Sequence, residues 1–275
     1  MGGSSGLGKH FEKRMNELLI IKIGGQVIDD AATLERFLKE LSKVESPCIL
    51  VHGGGKLATR MSERLGIEAK LIDGRRITDA ATLEVVTMVY GGLVNKQLVA
   101  SLQALGKPAM GLTGADGDLI RSKKREHATI DYGFVGDVTQ VNTSGFEAIL
   151  RQGQIPVIAP LSHDGQGQIL NTNADTMAQS IAVAMSKLYS TTLVFGFEKA
   201  GVLRDLSDEG SVILQINKAE YNDLKTTGVV HTGMIPKLDN AFEAISQGVQ
   251  RVIIGKADEL PDLLNGKSGT TLKHE

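Results

Sequence analysis

Two lysines stand where a positive charge needs an explanation. Lys22 lies inside the apolar run 18–23, which Gly24-Gly25 follow directly. A buried ammonium group is costly unless it is paired or binds an anion, so Lys22 predicts an anionic ligand; the alternative is a side chain that extends to the surface. Lys237 lies near the start of a predicted helix, where the helix dipole disfavours a cation. It therefore predicts an acidic partner, such as Asp175, or a bound phosphate.

A second glycine turn, Gly53-Gly54-Gly55, follows the apolar run 48–51 and His52. Glycine lets backbone N–H groups approach an anion, and ligands of open α/β sheets bind beyond the carboxyl ends of the strands. The two turns predict either two anionic groups or one large polyanion held from two sides. His52 is expected to pack against this turn or to orient it.

The residues alone leave several interpretations of these glycines open. A Walker nucleotide loop ending in GKS at 266–268 is disfavoured, because Pro261 stands where its first glycine is required. The run GGGKLA at 53–58 satisfies the dinucleotide pattern G-x-G-x-x-A, with Asp73 in the position of the distant acidic residue. A phosphoryl-transfer site built from lysines and backbone amides is the third interpretation, and tight turns without a ligand are the fourth.

A short polar cluster and an arginine pair complete the candidates for a site. Asn171, Asn173 and Asp175 precede a predicted helix, where they either cap it or present two amides and a carboxylate to a ligand. Arg75-Arg76 either recognises a carboxylate in a bidentate manner or is solvated surface. The six histidines show no metal-ligand spacing, so no protein metal site is predicted.

The composition excludes several classes of protein. The 275 residues carry 30 Lys+Arg against 32 Asp+Glu, and this net charge of −2 argues against a basic nucleic-acid or membrane surface. Aromatic residues make up 4 % and tryptophan is absent, which disfavours base stacking. Cys48 is the lone cysteine, so an intrachain disulfide is excluded and a reducing compartment fits best. There is no run of 18 apolar residues to span a membrane. We expect a cytoplasmic protein without nucleic-acid or membrane partners.

Apolar runs of strand length alternate with helical patterns from about residue 18 onwards, which predicts an α/β fold with a mostly parallel sheet covered on both faces. Residues 1–17 are predicted to be a leader, either disordered or introduced by cloning. A division near Tyr189 predicts an N-terminal lobe, 18–188, and a C-terminal lobe, 189–275. The polar segment 123–139 interrupts the alternation and predicts a hairpin or a lid over a site.

A long helix is predicted over 78–105, with Thr78 or Asp79 as its cap. Four apolar residues recur at helical spacing along it. They are Val85, Val86, Val89 and Leu93. Burial in the core and a two-fold interface between copies are the two interpretations of this face.

In their order along the chain, these motifs resemble the amino acid kinase family, and within it the N-acetylglutamate kinases. The matching runs are KIGG at 22–25, VHGGG at 51–55, GRRIT at 74–78, GFVG at 133–136, IPVI at 155–158, NTNAD at 171–175 and GMIPK at 233–237. The resemblance covers nearly the whole chain from Leu18. It implies a three-layer αβα sandwich with an open, mainly parallel eight-stranded sheet, an N-terminal half that binds the amino acid and dimerises, and a C-terminal half that binds the nucleotide.

The activity implied by the resemblance is phosphorylation of the γ-carboxylate of an N-acyl-L-glutamate in arginine biosynthesis, with ATP and Mg²⁺. The acyl group is acetyl or succinyl. Lys22 and Lys237 would stabilise the transition state, Asp175 would organise both ammonium groups, and Gly25 and Gly54 would donate backbone N–H groups to the transferring phosphoryl. Because the attacking carboxylate is already ionised at neutral pH, no general base is required.

Binding residues are also implied by position. Those for the substrate are Gly54, Gly55, Arg76, Asn171 and Asn173. Those for the nucleotide are Lys22, Gly24, Gly25, Glu198, Lys199, Ala200, Gly201, Val202, Leu203, Val229, Val230, His231 and Lys237. Mg²⁺ would be held mainly through the nucleotide phosphates.

Two departures from the family pattern fall in the nucleotide half. Phe197-Glu198 stands where the family usually has Thr-Asp or Ser-Asp, and Thr232 replaces a frequent Gly or Asp. The contacts to ATP in that loop are therefore expected to differ. The alternative functions are another activity of the family, on glutamate, aspartate, carbamate or UMP, and a catalytically silent ligand sensor. Since members inhibited by arginine carry an additional N-terminal helix, we expect a homodimer without arginine feedback.

Overall fold

The computed structural model describes residues 16–72, 75–205, 207–230 and 234–274. Most of the predicted leader, 1–15, lies outside the described residues, and the first strand begins at Glu17. The strands are β1 (Glu17–Ile23), β2 (Cys48–His52), β3 (Leu71–Ile72), β4 (Arg75–Arg76), β5 (Ala109–Leu112), β6 (Ile120–Lys124), β7 (Val135–Val141), β8 (Ile155–Ile158), β9 (Leu161–His163), β10 (Ile169–Thr172), β11 (Ser190–Phe197), β12 (Gln215–Ile216), β13 (Arg251–Lys256) and β14 (Thr270–Lys273). The helices are α1 (Gly25–Asp29), α2 (Ala31–Ser42), α3 (Gly55–Arg64), α4 (Ala80–Ala104), α5 (Thr143–Arg151), α6 (Ala174–Met185), α7 (Lys218–Thr226), α8 (Ile235–Ser246) and α9 (Leu260–Leu264).

The main sheet has eight strands in the order β12-β14-β13-β11-β1-β2-β8-β5. Its pairs are parallel except for β13 with β14, which run antiparallel. Helices pack on both faces of this sheet, because parallel strands need crossovers that place helices there. The predicted open, mainly parallel eight-stranded α/β sandwich is confirmed.

β1 occupies the middle of the sheet, between β11 and β2. Its residues alternate between two cores: Leu18 and Ile20 belong to one apolar cluster, and Leu19 and Ile21 belong to the cluster on the opposite face. Since side chains of a strand alternate with a period of two, Lys22 shares the face of Leu18 and Ile20. Helix α6 contributes to the cluster on that face, and its first turn carries Asp175.

The sheet runs without interruption through both predicted lobes. β11, the first strand after the predicted division near Tyr189, pairs with β1 along seven residues, from Glu17↔Ser190 to Ile23↔Gly196. Backbone hydrogen bonding therefore continues across the predicted division. That the N-terminal lobe binds the amino acid and the C-terminal lobe binds the nucleotide stays a prediction.

Short polar residues set the starts of several helices. The Asp30 side chain accepts a hydrogen bond from Thr33 N, and Asp79 accepts one from Thr82 N. Asn173 in the same way caps α6 through Thr176 N at 3.0 Å. Each cap satisfies a donor that the first turn of a helix leaves without a partner. The cap predicted for the long helix at Thr78 or Asp79 is thus Asp79.

Helix α4 contains a π-helical segment, Thr87–Val94, that the sequence pattern did not predict. Of the four apolar residues singled out above, the three valines are buried and Leu93 is 39 % exposed. Core burial is therefore the correct interpretation for most of this face.

Among the described residues, this 25-residue helix is long and apolar enough to cross a membrane by length and composition alone. Its most apolar window is 44 % buried within the fold.

The polar segment 123–139 forms the expected hairpin. β6 and β7 pair antiparallel, and β9 and β10 join them in a small closed sheet beside the main one. Arg125 and Val135, at the end of the hairpin where its connecting loop begins, line a cleft. The hairpin prediction is confirmed.

Candidate active site

Lys22 is nearly buried, and its ammonium group faces a carboxylate. Nζ of Lys22 lies 2.7 Å from Oδ1 of Asp175, with the lysine side chain 8 % exposed and the aspartate side chain 35 % exposed. The two atoms form an ion pair without the alignment of a hydrogen bond, so the contact is mainly electrostatic. The charge in the apolar strand is therefore paired, as its burial requires.

Lys237, far from Lys22 in the sequence, contacts the same aromatic ring, that of Phe197. Lys22 Nζ lies 4.9 Å from the centroid of the Phe197 ring, and Lys237 Nζ lies 4.1 Å from the same centroid. The negative face of an aromatic ring attracts cations, so the Phe197 ring can make a cation–π contact with both ammonium groups. Among the described residues Lys237 has no ion pair, and the contact of Asp175 is with Lys22. Phe197 belongs to the Phe197-Glu198 departure from the family pattern, and the ring contact gives it a role that the sequence did not indicate.

The two glycine turns pack backbone against backbone. Gly53 N donates to Ile23 O at 3.0 Å. A Cβ at Gly25 would lie 3.7 Å from Gly55 N and 3.9 Å from Gly54 N. The amides after β1 and those after β2 therefore share one small volume. Gly54 has φ +149°, and a Cβ there would lie 3.1 Å from the ring of Tyr90, so this position requires glycine.

A cleft of about 370 Å³ opens beside these turns. All five residues predicted to bind the substrate line it: Gly54, Gly55, Arg76, Asn171 and Asn173. It is also lined by Lys56, Thr59, Tyr90 and Arg125, which the sequence did not single out. Polar groups on a partly apolar concave surface are typical of a small-molecule site.

Arg76 is held in place by two hydrogen bonds and keeps one nitrogen without a partner. Its Nη2 donates to Gly55 O at 2.9 Å and to Thr59 Oγ1 at 2.7 Å. Its Nη1 is buried without a hydrogen-bond partner. A buried charged donor without a partner carries a large desolvation penalty, so this atom favours an anionic ligand. The side chain of the neighbouring Arg75 lies outside the described part of the chain.

The two asparagines differ in what holds them. Asn171 is 9 % exposed, and its Nδ2 donates to Thr78 Oγ1 at 2.9 Å. The oxygen of Asn173 is engaged in capping α6, as the plainer interpretation of the cluster expected. Both side chains still border the cleft, so capping and ligand binding are compatible at this helix start.

A second cleft lies in the C-terminal half. It is lined by Lys199, Gly201, Val202, Leu203, Val229, Val230 and Met234. Six of these were predicted to contact the nucleotide, while His231 lies outside the described residues. Gly201 has φ +153°, and a Cβ there would lie 2.8 Å from Thr270 Oγ1. The loop can turn into the cleft here because the residue is glycine.

Glu198, the other residue of the Phe197-Glu198 departure, points toward the glycine turns. The Gln26 amide, oriented to satisfy both neighbours, donates to the Glu198 carboxylate at 2.6 Å and accepts from Lys56 Nζ at 3.2 Å. This chain of contacts joins the nucleotide half to the first turn of α3. Glu198 and Ala200 do not border the second cleft, and the nucleotide contacts expected of all these residues stay predictions.

Tyr90 is the cleft residue that sequence analysis missed most completely. It is 5 % exposed and lies within the π-helical segment, with its ring against Gly54. Burial raises the pKa of Tyr90 above its ordinary value, and the neighbouring Arg76 guanidinium opposes that shift. The only available signal was its place among apolar residues, which favoured the core.

Comparison with known proteins gives a consistent result. The amino acid kinase family model matches residues 17–256. The acetylglutamate kinase of Phocaeicola vulgatus is 53 % identical over 257 residues, which cover 94 % of this chain and 98 % of that protein. The acetylglutamate kinase of Cytophaga hutchinsonii is 54 % identical over 252 residues, which cover 91 % and 96 %.

A solved structure supports the fold independently. N-acetylglutamate synthase from Neisseria gonorrhoeae, complexed with coenzyme A and N-acetylglutamate, superposes with a TM-score of 0.80 at 20 % identity. The match covers 98 % of this chain and 64 % of that one. At this identity the likeness concerns the fold alone.

Proposed function

Since this chain belongs to the amino acid kinase family, we propose that it transfers the γ-phosphoryl group of ATP to the γ-carboxylate of N-acetyl-L-glutamate. The product is an acyl phosphate, and the reaction belongs to arginine biosynthesis. One observation carries the proposal: Lys22, Lys237 and two glycine turns converge beside a cleft that holds an unpartnered arginine nitrogen. The names of the full-length relatives support the same substrate.

Phosphoryl transfer depends on alignment and on neutralising oxygen charge, and the site offers both. The ammonium groups of Lys22 and Lys237 would face the phosphoryl oxygens from two sides. The backbone N–H groups of Gly25 and Gly54 would donate to the same oxygens. Asp175 would hold the Lys22 ammonium group in position, through the contact at 2.7 Å.

The α-carboxylate of the substrate would complete the hydrogen bonding of Arg76. Its Nη1 has N–H groups free for that carboxylate, while the Nη2 hydrogens are donated to Gly55 O and Thr59 Oγ1. Asn171 would hold the main-chain end of the substrate. We expect Arg76→Lys to raise KM for the acyl amino acid about tenfold or more, with a smaller change in kcat, because a planar fork is replaced by a point charge.

An N-succinyl substrate is the second candidate. Lys56, Arg76 and Arg125 line the cleft, and none of the described residues that line it carries a carboxylate side chain. Arg125 already forms an ion pair with Asp137, so Lys56 is the cation best placed to meet a third carboxylate. A dicarboxylic acyl group would supply that charge.

ATP would occupy the second cleft, with Mg²⁺ bound through its phosphate oxygens. Among the described residues, no three His, Cys, Asp or Glu side chains form a metal cluster, which is compatible with a cation that enters on the nucleotide. When bound, Mg²⁺ would supply positive charge that offsets the charge of the phosphate oxygens. The reducing compartment that fits Cys48 supports a cytoplasmic location.

The proposal includes a homodimer joined through α4. Met88 and Leu93 on this helix are 55 % and 39 % exposed, although the helix is largely apolar. Burying such side chains against a second copy would remove them from water. Light scattering should give the mass of a dimer, and activity should be insensitive to arginine below millimolar concentration; a hexamer or inhibition by arginine would contradict this part.

A substrate panel tests the function directly. ADP release is coupled to NADH oxidation with N-acetylglutamate, N-succinylglutamate, glutamate, aspartate, carbamate and UMP as acceptors, and hydroxylamine traps the acyl phosphate. We expect the highest kcat/KM with an N-acylated glutamate. Turnover of free glutamate, aspartate, carbamate or UMP alone would refute the proposal.

A silent ligand sensor is distinguished by two variants. Lys22→Ala and Lys237→Ala should each lower kcat about 10²–10³-fold, by analogy with the loss of one oxyanion donor. Both should keep the rise in Tm that the acyl amino acid produces, since binding to the folded state stabilises it. A wild-type protein that is stabilised by the ligand yet releases no ADP would identify the sensor.

A further inference from the structure

His52 is a buried titratable residue with no place in the proposed chemistry. It is the last residue of β2, fully buried, and directly precedes the second glycine turn. Its Nδ1 lies 2.7 Å from Gly53 O, and its Nε2 lies 3.2 Å from Asn95 Nδ2. Both ring nitrogens therefore have a partner, and one of those partners belongs to the glycine turn.

The surroundings of Asn95 determine which ring nitrogen carries the proton. Asn95 Nδ2 also donates to Val157 O at 2.9 Å, and Asn95 Oδ1 accepts from Lys96 Nζ at 3.1 Å. The amide orientation is thus fixed, with its N–H groups toward His52. Nε2 must then accept, and Nδ1 must carry the hydrogen that it donates to Gly53 O. Burial lowers the pKa of His52 to about 4, so the ring is neutral at physiological pH.

The hydrogen bond to Gly53 O fixes the direction of the next amide. The peptide between Gly53 and Gly54 is trans, and in a trans peptide the C=O and the N–H point in opposite directions. Gly53 N is already bonded to Ile23 O of the neighbouring strand. With both polar groups of Gly53 directed into the protein, the Gly54 N–H is directed away from His52, toward the side of the cleft.

We propose that His52 is a positioning residue for phosphoryl transfer, because its Nδ1–H holds the Gly53–Gly54 peptide with the Gly54 N–H facing the transferring group, and Asn95 selects the tautomer that does so. This role rests on the proposed function, in which Gly54 N–H is a donor to the phosphoryl oxygens. His52 itself touches neither substrate nor nucleotide. Without it, this peptide loses the buried hydrogen bond that opposes its rotation.

Three substitutions separate the hydrogen bond from the packing of the ring. The amide nitrogen of asparagine takes about the place of histidine Nδ1, whereas that of glutamine takes about the place of Nε2. His52→Leu keeps comparable volume and donates nothing. We expect His52→Leu and His52→Gln to lower kcat about 10- to 100-fold, and to change KM for N-acetylglutamate less than about threefold. This decrease in kcat does not exceed the one caused by removing an oxyanion donor itself, because the Gly54 N–H is still present and only its orientation is lost. His52→Asn should recover kcat to within about fivefold of the wild type.

Steady-state kinetics with N-acetylglutamate and urea unfolding are measured on the same preparations. Equal kcat values for His52→Asn and His52→Leu would overturn the role, as would a loss of kcat that follows the loss of stability across the three variants.

The ¹⁵N spectrum of histidine-labelled wild type gives a second criterion that needs no variant to fold. A δ-protonated His52 is expected at neutral pH, and an ε-protonated or charged ring would overturn the proposal. A wild type that turns over no acceptor refutes the proposed function, whereas an active wild type with no distinction among the variants refutes this role alone.

Discussion

Asp175→Asn removes the charge that faces Lys22 and keeps the shape of the side chain. The two partners are unequally buried: the lysine side chain is 8 % exposed and the aspartate side chain is 35 % exposed. Removing either partner breaks the same ion pair, but the charges that remain differ. Asp175→Asn leaves an ammonium group inside the sheet, while Lys22→Met leaves a carboxylate that water can reach.

The burial values set the expected cost. Breaking a fully buried pair costs about 3–5 kcal/mol, and a solvated pair contributes about 0–1 kcal/mol. Because Asp175 is about one-third exposed, the cost of Asp175→Asn falls between these limits, at roughly 1–3 kcal/mol. The Phe197 ring offsets part of the loss. Lys22→Met places an apolar chain in an apolar strand, so we expect a change within about 1 kcal/mol of the wild type in either direction.

Urea unfolding of the wild type, the two single variants and the double variant Lys22→Met/Asp175→Asn measures these differences in the free energy of unfolding. The double variant should be more stable than Asp175→Asn, since it no longer holds an unpaired buried charge. A double-mutant cycle of this kind isolates the pair. The arrangement of charges would be refuted if Asp175→Asn had the same free energy of unfolding as the wild type. It would also be refuted if Asp175→Asn lowered that free energy less than Lys22→Met does.

Three further outcomes are expected. Phe197→Leu should lower kcat about three- to tenfold, as expected for the loss of cation–π contacts of about 1 kcal/mol, while Phe197→Tyr keeps them; equal steady-state rates for the two variants would contradict this. Burial raises the pKa of the Cys48 thiol to about 12, so Ellman's reagent should react with the unfolded protein and not with the folded one. The folded-state pKa of His52, about 4, lies below its unfolded value of about 6.5. Its contribution to stability should be complete above about pH 6.5 and lost as the pH falls toward 4, with a slope of at most about 1.4 kcal/mol per pH unit that His52→Leu lacks in urea titrations.

Long apolar runs and polar caps made much of the fold predictable. β1, β2 and β8 are apolar runs bounded by turns, and the caps of α2 and α6 follow the known preference for short polar side chains. Strands of two residues such as β12 carry no periodicity of their own, so they form only where a neighbouring strand provides hydrogen bonds. The π-helical segment in α4 has no local sequence signal, since its wider turn depends on packing around it.

The site was predictable where a residue conflicts with its surroundings. Lys22 in an apolar strand and three consecutive glycines both violate local expectations. The three glycines line the cleft, and the Lys22 ammonium group lies beside the first glycine turn, at Gly24. Glu198 shows the limit of transfer by position, because the structure gives it a contact with Gln26 that no motif indicates. Tyr90 and Phe197 are apolar enough to resemble core residues, so only the three-dimensional arrangement reveals that one packs on Gly54 and the other contacts both lysines.

The seam between β1 and β11 limits how this protein can be rearranged. A chain cut between residues 188 and 189 would leave two long, apolar strand edges unpaired, and such edges associate with other chains. Either half produced alone should therefore aggregate rather than serve as a separate binding module. A chimera with a nucleotide half from a relative would have to reproduce the register that sets Lys22 opposite Phe195, because a slip of one residue would turn the lysine to the wrong face of the sheet.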